Sequence, residues 1–152
     1  MVDEPTTTPF SPQNGEVTHP TFRVMELIEV TVPLPAQHAL VQLAEKESPY
    51  RTLSFPVGLA EGAALVAAQE GSQGLRPSTH ELFSEMLRRI NADVIAVRIV
   101  DEREGVFHAE LDVMTARGRE LLSCRPSDGL VLSLRQLVPA PILVDETLFE
   151  GP

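Results

Sequence analysis

The 152-residue chain carries one cysteine, one tyrosine, no tryptophan and a single lysine. A lone Cys124 excludes an internal disulfide and any multi-cysteine zinc site. Aromatic residues make up only 5%, which argues against a base-stacking sheet of the RNA-recognition type. No apolar run approaches the roughly 20 residues that span a bilayer. The N-terminus MVDEPTTTPF lacks both the basic start and the apolar stretch of a secretory signal, so the expectation is a cytoplasmic protein with no membrane role. GxGxxG, the Walker-type GxxxxGK[ST], HExxH and GxSxG are all missing. Positive charge is scarce as well. Twelve basic residues against 22 acidic ones give a net charge of -10, which repels polyanions at long range. A nucleic-acid role must then rest on a local basic site, a metal ion or an assembly. Eleven of the twelve cations are arginine; that suits forked recognition of phosphate or carboxylate, and genomic base composition explains it as well.

What remains is sufficient for one ordinary domain. Hydrophobic residues are 43% and charged residues 22%, enough to bury a core. Residues 1–20 hold Pro5, Pro9, Pro12 and Pro20 among polar residues and acids, which predicts a flexible tail ahead of a domain over 21–150. Within that domain, β-branched and alternating stretches predict strands over 22–32, 39–44, 50–57, 94–100, 106–114, 120–124 and 141–144. Pro56 assigns the third to an edge or marks its end, and Val94–Val100, apolar on both faces, reads as central. Helices are predicted over 58–68, 79–90 and 128–137. The first has a stripe of small residues (Ala60, Ala63, Ala64, Ala67) suited to close approach to a sheet. The second directs Leu82, Phe83, Met86, Leu87 and Ile90 to one face, and the third turns Leu130, Val131, Leu134 and Val138 inward. Strands in runs, with helices between, predict an α+β fold: a mixed or antiparallel sheet with about three helices in a single compact domain.

One turn occurs twice. Arg76-Pro77-Ser78 opens the second helix and Arg125-Pro126-Ser127 the third. In each, proline fixes the approach, serine is placed to cap, and outward backbone N–H groups with a neighbouring arginine suit an anion. Ser78-Thr79-His80-Glu81 equally satisfies an ordinary capping box, with Glu81 bonding back to Ser78. His80 falls in a first helical turn, a place for a base or ligand and equally for a surface histidine. On the strand 106–114, His108, Glu110 and Asp112 share one face; alternate positions suit a divalent ion, and more often such a row is a solvated face. Glu61, among small helical residues, fits a pocket or interface wall, and its helix position equally fits an exposed residue. Cys124, ending an apolar strand, reads as a packing residue.

Taken together, Val57-Gly58 … Glu61-Gly62-Ala63, Arg76-Pro77-Ser78-Thr79-His80-Glu81-Leu82, Asp101 … Gly105-Val106-Phe107-His108-Ala109, Ser123-Cys124-Arg125-Pro126-Ser127-Asp128-Gly129 and Pro141-Ile142-Leu143-Val144 resemble the bifunctional nuclease domain family over about residues 50–146. The family's acid after the histidine is Glu81 here, its Phe-Tyr pair is Phe107-His108, and its small residue after Asp128 is Gly129. The resemblance implies a small α+β domain that cleaves both DNA and RNA with a divalent metal and forms a homo-oligomer.

On that basis the expected activity is phosphodiester hydrolysis. Arg76 and Arg125 grip phosphate, with Ser78, Thr79 and Ser127 beside them at the helix starts. Glu81 and Asp128, with Glu61 or Asp101, hold Mg2+ or Mn2+, and His80 acts as base or acid. The competing expectation is a non-catalytic oligomeric module that captures a small anion or a protein partner at the same turns. The acidic charge and the lack of stacking aromatics favour that alternative.

Overall fold

Alternation along the long strands sorts the sheet into a buried and an open face. The computed structural model describes residues 19–149; most of the expected tail, residues 1–18, lies outside the described residues. In chain order come strands β1 (Phe22–Thr31), β2 (Ala39–Glu45) and β3 (Thr52–Val57), and helices α1 (Leu59–Glu70) and α2 (Thr79–Arg89). Strands β4 (Asp93–Arg103), β5 (Val106–Thr115) and β6 (Gly118–Cys124) follow, then helix α3 (Pro126–Leu134), strand β7 (Ile142–Asp145) and a closing 3-10 turn over Glu146–Phe149. The seven strands form one sheet in the order β3-β2-β1-β7-β4-β5-β6. Only β4 and β7 run parallel; the other neighbours are antiparallel. The fold is a single α+β domain, as expected, with β3 at an edge and β4 between β7 and β5.

Helices α1 and α3 pack on each other and on the sheet, α1 over β1 and β2 and α3 over β4 and β5. Val41, Leu43, Leu65, Val97, Ile99, Leu111, Leu130, Val131 and Val144 fill the space between them. The tight approach is made by glycine. A Cβ on Gly62 would stand 2.5 Å from the Ala39 Cβ, and one on Gly129 would stand 2.5 Å from Val97 Cγ2. The alanines expected to touch the sheet do not do so in full: Gly62, Leu65 and Ala68 form the buried side of α1, while Ala60 and Ala63 are exposed. Between β4 and β5, Glu104 and Gly105 take φ of 51° and 80°, the left-handed pair of a two-residue hairpin turn.

Two predicted faces are corrected. On α2 only Leu87 is buried; Leu82, Phe83, Met86 and Ile90 stand 43–59% exposed, because the principal neighbour of α2 is α3 rather than the sheet. Helix α3 starts two residues early and stops at Leu134, so Val138 falls beyond it and is exposed. The His108-Glu110-Asp112 row is not simply solvated either. Asp112 is 1% exposed, held by Arg98 at 3.0 Å and by Arg119 at 2.7 and 2.6 Å. Among the described residues no helix is long and apolar enough to cross a membrane.

Candidate nucleic-acid site

The two Arg-Pro-Ser turns are not equivalent. In the first, Ser78 is the N-cap of α2: its hydroxyl accepts from the Glu81 N–H at 3.3 Å, and its own N–H donates to Glu81 Oε2 at 2.5 Å. The Gly74 N–H reaches the other carboxylate oxygen at 3.4 Å. In the second, Pro126 is already the first helical residue, Arg125 is the N-cap, and Ser127 is buried inside the first turn. Proline favours the first helical position because its missing N–H costs nothing there. The expected serine cap is therefore present on α2 and absent on α3.

Helix packing nonetheless brings the two starts together. His80 Nε2 lies 2.8 Å from Asp128 Oδ1. Arg125 forks onto the same carboxylate, Nε to Oδ2 at 2.7 Å and Nη2 to Oδ1 at 3.1 Å, and sends Nη1 to Glu61 Oε1 at 3.0 Å. The result is a chain of contacts, Glu61–Arg125–Asp128–His80, linking α1, α3 and α2. Burial opposes ionisation of Asp128, but hydrogen bonds from Arg125 and His80 outweigh it and hold the carboxyl below its ordinary value. Glu61 is held down by its own backbone N–H and by Arg125. Of the five N–H donors of a guanidinium, Arg125 commits three to these acids; two remain on a side chain that is 62% exposed.

A cleft lies on each side of this chain. One, of about 420 Å³, is lined by Glu61, Arg125 and Ser127 and by Phe55, Val57, Phe107 and Pro126. The other, of about 460 Å³, is lined by Ala60, Ala63, Ala64 and Ala67 and by Arg76, Ser78, His80, Glu81 and Arg135. Arg76 and Arg125 thus face different clefts and do not form a single cradle. Arg76 is exposed and makes no hydrogen bond or ion pair among the described residues. Thr79, the first residue of α2, is exposed as well.

The four acids expected to hold Mg2+ or Mn2+ are not gathered. Glu81 is spent on the cap of α2, where the Ser78 backbone holds its carboxyl below the ordinary value. Asp101 bonds Arg103 at 2.6 Å and the Glu102 N–H at 2.8 Å within its own strand. Glu61 and Asp128 are bridged by the Arg125 guanidinium, which bonds both carboxylates. Among the described residues no three His, Cys, Asp or Glu side chains are placed to hold a metal ion. These residues do not fit the expected metal. Cys124 agrees with a packing role, since burial pushes its thiol up to about 11.

Sequence reasoning missed Arg135 and the phenylalanine walls. Arg135 follows the last residue of α3 and donates from both Nη atoms to the Ser72 carbonyl at 3.2 Å; nothing in its local pattern marks it. Phe107 belongs to the Phe107-His108 pair of the family pattern, but its proximity to Phe55 (ring centroids 5.4 Å apart) depends on tertiary packing.

Two uncharacterized proteins of Mycobacterium tuberculosis, MT1877 of strain CDC 1551 / Oshkosh and Rv1829 of strain ATCC 25618 / H37Rv, are each 32% identical over 124 residues, covering 82% of this chain and 72% of theirs. The family model described as the bifunctional nuclease domain matches residues 41–151, a span that includes both clefts and the whole contact chain between them. The protein belongs to the bifunctional nuclease domain family.

Proposed function

We propose that the protein binds nucleic acid and hydrolyses phosphodiester bonds, DNA and RNA alike, at the contact chain between α2 and α3. The observation that carries the reading is the 2.8 Å bond between His80 Nε2 and Asp128 Oδ1. A carboxylate on one ring nitrogen fixes the tautomer and leaves the other nitrogen, Nδ1, as the base. His80 lines the cleft that also holds Arg76 and Arg135, so the imidazole and two guanidinium groups border one space. A phosphate there is held by charge-assisted hydrogen bonds, and Arg76, with no acid of its own among the described residues, is free to give them. Water attacks phosphorus as Nδ1 takes its proton. The phosphorus–oxygen bond to the leaving group then breaks, and the imidazolium returns the proton to the departing oxygen, giving a phosphomonoester and an alcohol. The arginines offset charge as it builds on the phosphoryl oxygens.

Arg125 stands one bond further out. It fixes Asp128 and keeps two N–H groups for a second phosphate of the same strand. Local placement of arginine is what such a reading requires in a chain of net charge -10. Self-association belongs to the same proposal and rests on the uncovered side of α2, where Leu82, Phe83, Met86 and Ile90 stand exposed. Light scattering giving a mass above the 16.6 kDa of one chain would support it.

A second reading, anion capture without cleavage, is favoured by one observation: Arg125 already pairs with Asp128 and Glu61. Incubation of the purified protein with single-stranded DNA and RNA separates the two. Cleavage that is lost in Arg76→Ala and Asp128→Asn supports hydrolysis. Retention of the oligonucleotide without products supports capture, and neither binding nor cleavage removes both.

A further inference from the structure

The hydrolytic reading uses only Arg125 of the cleft of about 420 Å³, and the walls of that cleft have a definite chemistry. Phe55 lies deep and buried, Phe107 is half-buried beside it, and Val57, Val106 and Pro126 complete an apolar slot. Its volume falls within the range of about 300–1,000 Å³ typical of small-molecule sites. Charge is confined to the rim, where Glu61 and Arg125 meet at 3.0 Å. Arg125 there retains two N–H donors, and its side chain is mostly exposed. A flat apolar group joined to an anion matches this arrangement: the group lies on the half-exposed Phe107 between exposed Val106 and Pro56, and the anion stays at the arginine.

We propose that this slot accepts one unstacked nucleobase while Arg125 contacts the adjoining phosphate, so that the substrate class is single-stranded nucleic acid, or a nucleotide turned out of a duplex. The inference rests on reading the protein as a nucleic-acid binder, and it adds which part of the strand is held and where. A slot of this size takes one base, and a paired base cannot enter without leaving its stack. Apolar and aromatic walls hold any base by its face, so the slot reads exposure of a base and carries little sequence preference. The two clefts flank one chain of contacts, and a strand passing from one to the other lays consecutive nucleotides across Arg125, Asp128 and His80.

The test compares adenosine 5′-monophosphate with ribose 5-phosphate, which lacks the base, by titrating each into 15N-labelled full-length protein. The nucleotide is expected to bind about tenfold more tightly, within the range of stacking one base, with the largest amide shifts at Val106 and Phe107. Phe107→Leu keeps the slot apolar but removes the ring face and should bring the nucleotide down to the level of ribose 5-phosphate. Val106→Trp alters an exposed residue at the mouth and should block the nucleotide without disturbing the fold. Equal affinity of the two ligands, binding of neither, or shifts confined to the Arg76 cleft would overturn the proposal. The readout needs no cleavage: discrimination without hydrolysis leaves this inference standing and removes the catalytic reading, and hydrolysis without discrimination does the reverse.

Discussion

His80 and Asp128 are 48 residues apart in sequence, and their side chains meet at 2.8 Å across the starts of two helices. The bond places the Nε2 proton between them, so the neutral imidazole carries its hydrogen on Nε2 and its lone pair on Nδ1. Nitrogen-15 spectra of the His80 ring should show that tautomer. In Asp128→Ala the preference should disappear, and any hydrolytic rate should fall about 10²–10⁴-fold, the usual worth of a positioned acid or base.

Glu45 gives a prediction in stability. Its side chain is fully buried, with Arg23 at 2.7 Å and Arg51 at 2.8 Å, and Arg51 also reaches Glu146 at 2.8 Å, tying the β2–β3 hairpin to the closing turn. Hydrogen bonding by Arg51, opposed by burial, holds the Glu45 carboxyl down at about 2 against an ordinary 4.5. A depressed acid stabilises the fold fully above its unfolded value and loses that contribution as pH falls towards its folded one. Thermal unfolding should therefore move to lower temperature between about pH 4.5 and about 2. Glu45→Gln should be less stable at pH 7 and flatter across that window; a variant as stable as the parent at pH 7 would contradict the assignment.

The position of Arg125 predicts behaviour with chelator. Because Arg125 already sits between Glu61 and Asp128, cleavage should persist in excess EDTA. Loss of activity in EDTA and recovery with Mn2+ would mean that a cation displaces the guanidinium.

Packing makes two contrasts. Leu87→Ala, on the buried side of α2, should cost about 2–4 kcal/mol, and exposed Leu82→Ala about 0.5 kcal/mol or less. At Gly129 an added methyl would meet Val97 Cγ2 at 2.5 Å and Cys124 Sγ at 3.2 Å. Gly129→Ala should thus destabilise by about 1–3 kcal/mol and loosen the His80–Asp128 bond by lifting the start of α3. Chemical denaturation measures both.

The strands and helices were legible because alternation, proline and paired turn residues act locally; the β4–β5 hairpin at Glu104-Gly105 is an example. The α2 capping box was legible for the same reason. The exposed side of α2 was not, because an apolar stripe does not say whether the sheet or only α3 will face it. The repeated Arg-Pro-Ser triplet suggested two equal turns, yet one proline precedes the cap of its helix and the other lies inside the first turn. The partnership of Glu61 with Arg125, 64 residues away, is likewise tertiary.

The most direct test of the hydrolytic account is single-turnover cleavage of an end-labelled single-stranded oligonucleotide by the parent protein and by His80→Gln, both folded by circular dichroism. The account predicts cleavage by the parent and a rate at least about a hundredfold lower in the variant. Equal rates in the two proteins, or no cleavage by the parent, would contradict it.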